Sequence, residues 1–238
     1  MSVHSNRLIR SNVWLWSALS ATCLFTGCQD GPLYALKTIN PYYTLNEWKA
    51  DEALGISDHQ RRQQLAGLAN SIGDLPAERQ QFWSGQLTAM LENDPSPEMR
   101  RLAVLAARSI HSQQALAIIE KGLDDESMKV RMEACRALGH RPEEQAARLL
   151  AATVGTEANE DVKRSALEAL ANHQNQIAVD SLRLALSDRD PATRTIAVES
   201  LRGATGKNYG DDPDVWIAAL EGKPAEEVPA GKGFRRFF

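Results

Sequence analysis

A basic residue stands in the same frame four times along the chain, at Arg100, Arg131, Lys163 and Arg194, spaced by 31, 32 and 31 residues. Six positions before each lies an acid, Asp94, Asp125, Glu157 or Asp188, and three positions after each lies Ala103, Ala134, Ala166 or Ala197. Seven positions after each comes Ala107, Leu138, Leu170 or Leu201. A register held at a period of 20 to 50 residues marks a solenoid, in which each unit buries its apolar face only against its neighbours. Within a unit, apolar residues recur at minus one, plus three, plus four and plus seven from the basic residue, as in Val130, Ala134, Cys135 and Leu138. That spacing draws one stripe along a 3.6-residue helix. The small alanine at plus three predicts a close approach of two helices.

Helix ends can be placed by their punctuation. Asp94-Pro95-Ser96-Pro97 and Asp188-Arg189-Asp190-Pro191 each set a polar capping residue before a proline, whose missing N–H costs nothing in a first turn. Second helices are predicted over 113–123, 143–154, 176–186 and, after a longer loop, 214–220. Helix, turn, helix at about 31 residues resembles the HEAT repeat, in the short form found in phycobilisome lyases, over roughly residues 94 to 221. The resemblance implies an all-α fold, a right-handed α-solenoid of antiparallel helix pairs. It also implies that Asp94, Arg100, Asp125, Arg131, Glu157, Lys163, Asp188 and Arg194 form a structural ladder, with Arg131 set against an acid such as Asp125. Partly buried pairs of this kind fix register more surely than they add net stability.

Upstream, helices over 57–72 and 76–91 form a pair outside this frame, as a terminal unit that must cover the last apolar face. The aromatic stretch from Asn40-Pro41-Tyr42-Tyr43 to Trp48 is expected to wrap onto it or to touch a partner. Thr205 to Trp216 resembles a closing segment that follows the last repeat in many exported bacterial HEAT proteins, with Trp216 packed on the final pair. Asp212 is placed to cap a helix started by Pro213. Gly206-Lys207-Asn208 lacks the glycine spacing of a phosphate loop.

Arg7 and Arg10 precede an apolar stretch of 13 residues, Val13 to Phe25, too short to cross the roughly 30 Å of a bilayer as a helix. It reads as an export signal. Leu24-Phe25-Thr26-Gly27-Cys28 resembles the bacterial lipobox, with Phe25 at the usual leucine position, which makes Cys28 the expected lipid attachment site. The predicted organisation is a lipoprotein signal over 1–27, a linker and aromatic cap segment over 28–56, the solenoid over 57–221 and a disordered tail over 222–238. The chain is expected at the cell envelope, lipid-anchored to a bacterial membrane and facing the periplasm or outside.

Of the three cysteines, Cys23 leaves with the signal and Cys28 carries lipid, so Cys135 has no intrachain disulfide partner. At plus four, where other units place Val104, Leu167 and Val198, it is a small buried hydrophobe rather than a nucleophile. Removing Arg7 and Arg10 leaves 25 basic against 31 acidic residues, a net charge of −6. No clustered basic patch supports nucleic-acid binding. None of the five histidines, His4, His59, His111, His140 and His173, is followed by Glu, so the His-Glu pairs of the iron-binding HEAT hydroxylases are absent and no metal or other cofactor is expected. His111, His140 and His173 fall near the turn inside a unit and are expected to be solvated.

No nucleophilic triad has motif support, and the chain is read as a non-enzymatic scaffold or adaptor for a protein or peptide partner. The alternative is a lyase-like, enzyme-associated subunit. The second helices offer Glu120, Lys121, Arg148, Asp180, Arg183 and Ser187 as a mixed-charge binding face, better matched to a protein than to a polyanion. From Gly222 the composition turns to Pro, Gly, Glu and Lys, and it ends in Phe234-Arg235-Arg236-Phe237-Phe238. Three aromatics and two cations on a polar tether are costly to leave exposed. The pentapeptide is a candidate element for the solenoid groove, a partner or an anionic lipid.

Overall fold

In a computed structural model, which describes residues 58–227, the chain forms ten α-helices and one short 3-10 turn, with no strand among the described residues. They are α1 (Asp58–Ser71), α2 (Ala77–Asn93), α3 (Pro97–Ala107), α4 (Gln113–Gly122) and α5 (Met128–Gly139). There follow α6 (Glu144–Thr156), α7 (Glu160–Leu170), α8 (Gln176–Ala185), α9 (Pro191–Thr205) and α10 (Pro213–Leu220). The predicted signal, Cys28, the aromatic segment around Trp48 and the pentapeptide Phe234–Phe238 lie outside the described residues.

Local chemistry sets the helix starts. Ser112, Asn159, Asn175, Asp190 and Asp212 accept hydrogen bonds from first-turn amides of α4, α7, α8, α9 and α10. Pro97, Pro191 and Pro213 occupy first-turn positions, where a missing N–H is no loss. Gly206, at φ 68°, closes α9 in the left-handed conformation that glycine alone adopts freely.

The helices stack as an α-solenoid of antiparallel pairs. First helices α3, α5, α7 and α9 pack side by side in one layer, and each also packs on its own second helix. In the other layer α2 meets α4, α6 meets α8 and α8 meets α10, whereas α4 and α6 are not joined in this way. The core runs unbroken between the layers, from Leu65 and Ile72 through Leu138 and Leu170 to Trp216.

All four plus-three alanines are fully buried, and the helices come close around them. A Cβ added at Gly122 would stand 2.9 Å from Val104 and 3.3 Å from the Ala134 methyl. At the C-terminal end Trp216 is buried, donates from Nε1 to the Gly210 carbonyl at 2.8 Å and packs edge-on against Tyr209 at 5.1 Å. Arg202 ties the same loop down through Asn208 and Gly210. The long loop before α10 is thereby fixed to the last repeat.

Two sequence expectations are corrected. Arg131 does not pair with the Asp125 carboxylate: it donates to the Asp125 backbone carbonyl at 2.9 Å, and its ion pair is with Glu157 of the next unit, also at 2.9 Å. His173 is not solvated. It is buried, with Nε2 3.2 Å from the Leu138 carbonyl. His173 occupies plus ten in the repeat frame, as do Ile110, Arg141 and Ala204, all buried. Arg141 reaches back from there to the carbonyls of Ile110 and Ser112. Polar residues in this turn therefore fill a core position, and they do so by satisfying carbonyls of the preceding unit.

Candidate functional site

One edge of the solenoid carries a repeated ionic device. The basic residue at the fourth position of a first helix crosses to the acid of the next unit: Arg100 to Asp125 at 2.8 Å, Arg131 to Glu157 at 2.9 Å and Lys163 to Asp188 at 2.8 Å. Each arginine of the frame also donates to the backbone carbonyl six residues before it, at 3.0 Å for Arg100 and 2.8 Å for Arg194. Each acid in turn caps its own loop, with the amides of Ser96, Ser127, Asn159 and Asp190 donating to Asp94, Asp125, Glu157 and Asp188. Arg61, at the fourth position of α1, reaches Asp94 at 2.8 Å. The terminal pair thus uses the same device, and the longer α1–α2 unit hid it from a reading based on constant spacing.

Electrostatics follow the geometry. The hydrogen bond to Asp125 raises the Arg100 pKa, with Glu126 adding to it. Burial alone would raise the Glu157 carboxyl, but the Asn159 amide and Arg131 outweigh it and hold the group below the usual carboxylate range. Asp188 is lowered chiefly by Lys163, then by the Asp190 amide. Cys135 is buried, and loss of hydration, with Glu157 behind it, pushes its thiol up to about 12. That is the wrong direction for a nucleophile.

The outer face of the second helices is a different surface. Glu120, Lys121, Arg148, Asp180, Arg183 and Ser187 are all exposed there. Most are matched within the chain: Lys121 pairs with Glu92, Arg148 with Glu144 and Arg183 with Glu221, while Asp180 accepts from Gln176 at 2.8 Å. The sequence reading missed Leu184, which stands 78% exposed on α8. Two repeats earlier, 63 residues away, as Asp125 is from Asp188, the same position is Lys121. A leucine in a place where another unit carries lysine is the signal that repeat alignment offers.

Between α4 and α6 the layer opens into a cleft of about 510 Å³. Its α6 wall is Leu149, Ala152, Thr153 and Thr156, one face of a helix, and its other wall is Glu120 of α4 with Leu123 and Asp124 just past that helix's end. The ladder residues Asp125, Arg131 and Glu157 line it as well. α6 has 13 residues against ten in α4 and α8, so its C-terminal end, which supplies Thr156, extends the wall. Asp125 and Glu157 are neutralised by Arg100 and Arg131, and Glu120 and Asp124 have no ion pair among the described residues. No cluster of three or more His, Cys, Asp and Glu side chains suited to a metal ion occurs among the described residues.

Parts of the chain are similar to known proteins. The structure of human deoxyhypusine hydroxylase in complex with glycerol is similar at 24% identity and a TM-score of 0.48, with 52% of this chain and 44% of that one covered. The chain thus spans less than half the length of that protein. No curated protein sequence matches. Residues 85–171, which carry α3 to α7, match the family described as HEAT repeats.

Proposed function

We propose that the chain is a lipid-anchored adaptor that holds a protein or peptide partner on the outer face of its second helices. The observation that supports this reading most is a division of labour between the two surfaces. The ladder edge turns its charges inward to join unit to unit. Exposed polar side chains recur on α4, α6 and α8, and Leu184 stands exposed on α8 among those of that helix. An apolar contact inside a polar rim is the anatomy of a protein interface. Because most charges of this face are already paired, specificity rests on shape and on the few groups left over.

Anchoring is carried by the sequence alone, through the short apolar stretch that leads into Gly27-Cys28. No helix among the described residues is long and apolar enough to cross a membrane. One lipid chain holds a protein only marginally, whereas two or three hold it stably. The anchor is tested with radiolabelled palmitate, which is expected to enter the wild type and not Cys28→Ala; equal labelling refutes it. The adaptor reading is tested by affinity capture from crosslinked cells with Leu184→Asp beside the wild type. Loss of a specific co-purifying protein at unchanged thermal stability supports the reading, and identical recovery from both sinks it.

A further inference from the structure

We infer that the cleft between α4 and α6 is the docking site for the chain's own segment Phe234-Arg235-Arg236-Phe237-Phe238. This rests on the cleft and the sequence, independently of any partner on the second-helix face.

The cleft has room for part of the segment and matches its chemistry. At about 510 Å³ it falls within the range of roughly 300–1,000 Å³ typical of ligand pockets. Leu123 and Leu149 give it apolar walls, and Glu120 and Asp124 leave two carboxylates without an ion pair. The segment brings aromatic rings for the first and Arg235 and Arg236 for the second. Two units along, the position equivalent to Glu120 is Arg183, 63 residues later, and there the charge is matched by Glu221. Glu120 is the unmatched counterpart of that arrangement.

Reach is sufficient. α10 is a second helix, as α4, α6 and α8 are, so its C-terminal end lies on the edge where the cleft opens, and the Arg183–Glu221 pair fixes Glu221 beside the end of α8. From there to the cleft is two to three helix spacings, roughly 16–30 Å at 8–10 Å each. The Lys223 amide still donates to the Ala218 carbonyl in the turn that closes α10, and from Lys223 to Phe234 the chain advances eleven residues and spans at most about 36–40 Å when extended. The segment therefore reaches the cleft with slack.

The test is a photo-crosslinking phenylalanine analogue placed at Phe237 in the detergent-solubilised full chain, with crosslinked peptides mapped by mass spectrometry in an equimolar mixture of isotopically heavy and light protein. The expected result is crosslinks to the α4 and α6 walls that join light to light and heavy to heavy, with unchanged yield on dilution. The double variant Glu120→Arg, Asp124→Arg is expected to lower the yield about tenfold, the scale of two exposed ion pairs. Adding Arg235→Glu and Arg236→Glu to it restores the yield. Mixed heavy–light crosslinks would assign the cleft to a second copy and overturn the proposal. So would crosslinks to detergent alone, crosslinks elsewhere on the solenoid, or a yield indifferent to the charge swap. Glu120 and Asp124 are exposed, and a melting curve for each variant confirms that its fold is intact.

Discussion

Removing Arg100 is predicted to destabilise the solenoid more than removing any other ladder cation. Its guanidinium donates to both Asp125 oxygens, at 2.8 and 3.0 Å, to Glu126 at 2.9 Å and to the Asp94 carbonyl at 3.0 Å. The Arg100 and Asp125 side chains are only 8% and 7% exposed. Arg100→Ala leaves the Asp125 charge in that setting without its cation, at a cost of about 3–5 kcal/mol. For a domain of this size each kcal/mol moves the melting temperature by roughly 2–4 °C, so the loss is about 6–20 °C. The Lys163–Asp188 pair makes one bond and is 19% and 23% exposed, so Lys163→Ala is expected to cost about 1 kcal/mol or less. Arg131→Ala, paired with Glu157 at 19% and 12% exposure, falls between. Thermal denaturation of the three variants, with a double-mutant cycle on Arg100 and Asp125, measures this order. A shift under about 2 °C for Arg100→Ala, or a coupling near zero, refutes the buried-pair argument.

The remaining predictions concern pH, packing and reactivity. Burial lowers the His173 pKa from 6.5, and burial followed by Arg108 lowers that of His140. A depressed folded value means that the stabilising contribution is complete above about pH 6.5 and is lost as pH falls through the folded value, because the unfolded chain binds the proton first. Melting temperature is therefore expected to fall as pH drops below about 6.5, and His173→Gln, whose amide still donates but does not titrate, is expected to flatten that slope; an unaltered slope refutes the assignment to His173. At Gly203 an added Cβ stands 2.8 Å from the Ala171 carbonyl oxygen and 3.0 Å from its methyl, so Gly203→Ala is expected to cost about 1–3 kcal/mol in chemical denaturation. At Gly67, within α1, nothing lies within 4 Å, and Gly67→Ala is expected to gain about 0.5–1 kcal/mol. Cys135 is expected to resist maleimide in the folded chain and to react at the rate of global unfolding; rapid labelling under native conditions contradicts its burial.

The repeat architecture was legible because one physical demand recurs in every unit. A small residue is needed where a first helix meets a closely packed neighbour, as Ala134 does beside Gly122 of α4, so Ala103, Ala134, Ala166 and Ala197 appear in register. The direction of the ladder was not legible. Arg131 lies six residues from Asp125 and 26 from Glu157, and only the stacking of units brings the distant acid to the guanidinium and turns the near residue's carbonyl toward it. His173 misled because polar side chains in a turn are ordinarily solvated, whereas here the turn closes on the C-terminal end of α5 and the imidazole takes up a core place. The cleft was beyond sequence reasoning because it depends on α4 and α6 standing apart. Leu184 was readable only by comparing equivalent second-helix positions, where its counterpart is Lys121.

Site-specific photo-crosslinking in cells tests the adaptor reading most directly. A photoreactive residue placed at Leu184, on the outer face of α8, is predicted to form a discrete adduct with one protein. The same residue placed at Glu168, exposed on the first helix α7, is predicted to form none. An adduct at Glu168 equal to or stronger than that at Leu184 would contradict the claim that the second-helix face holds the partner.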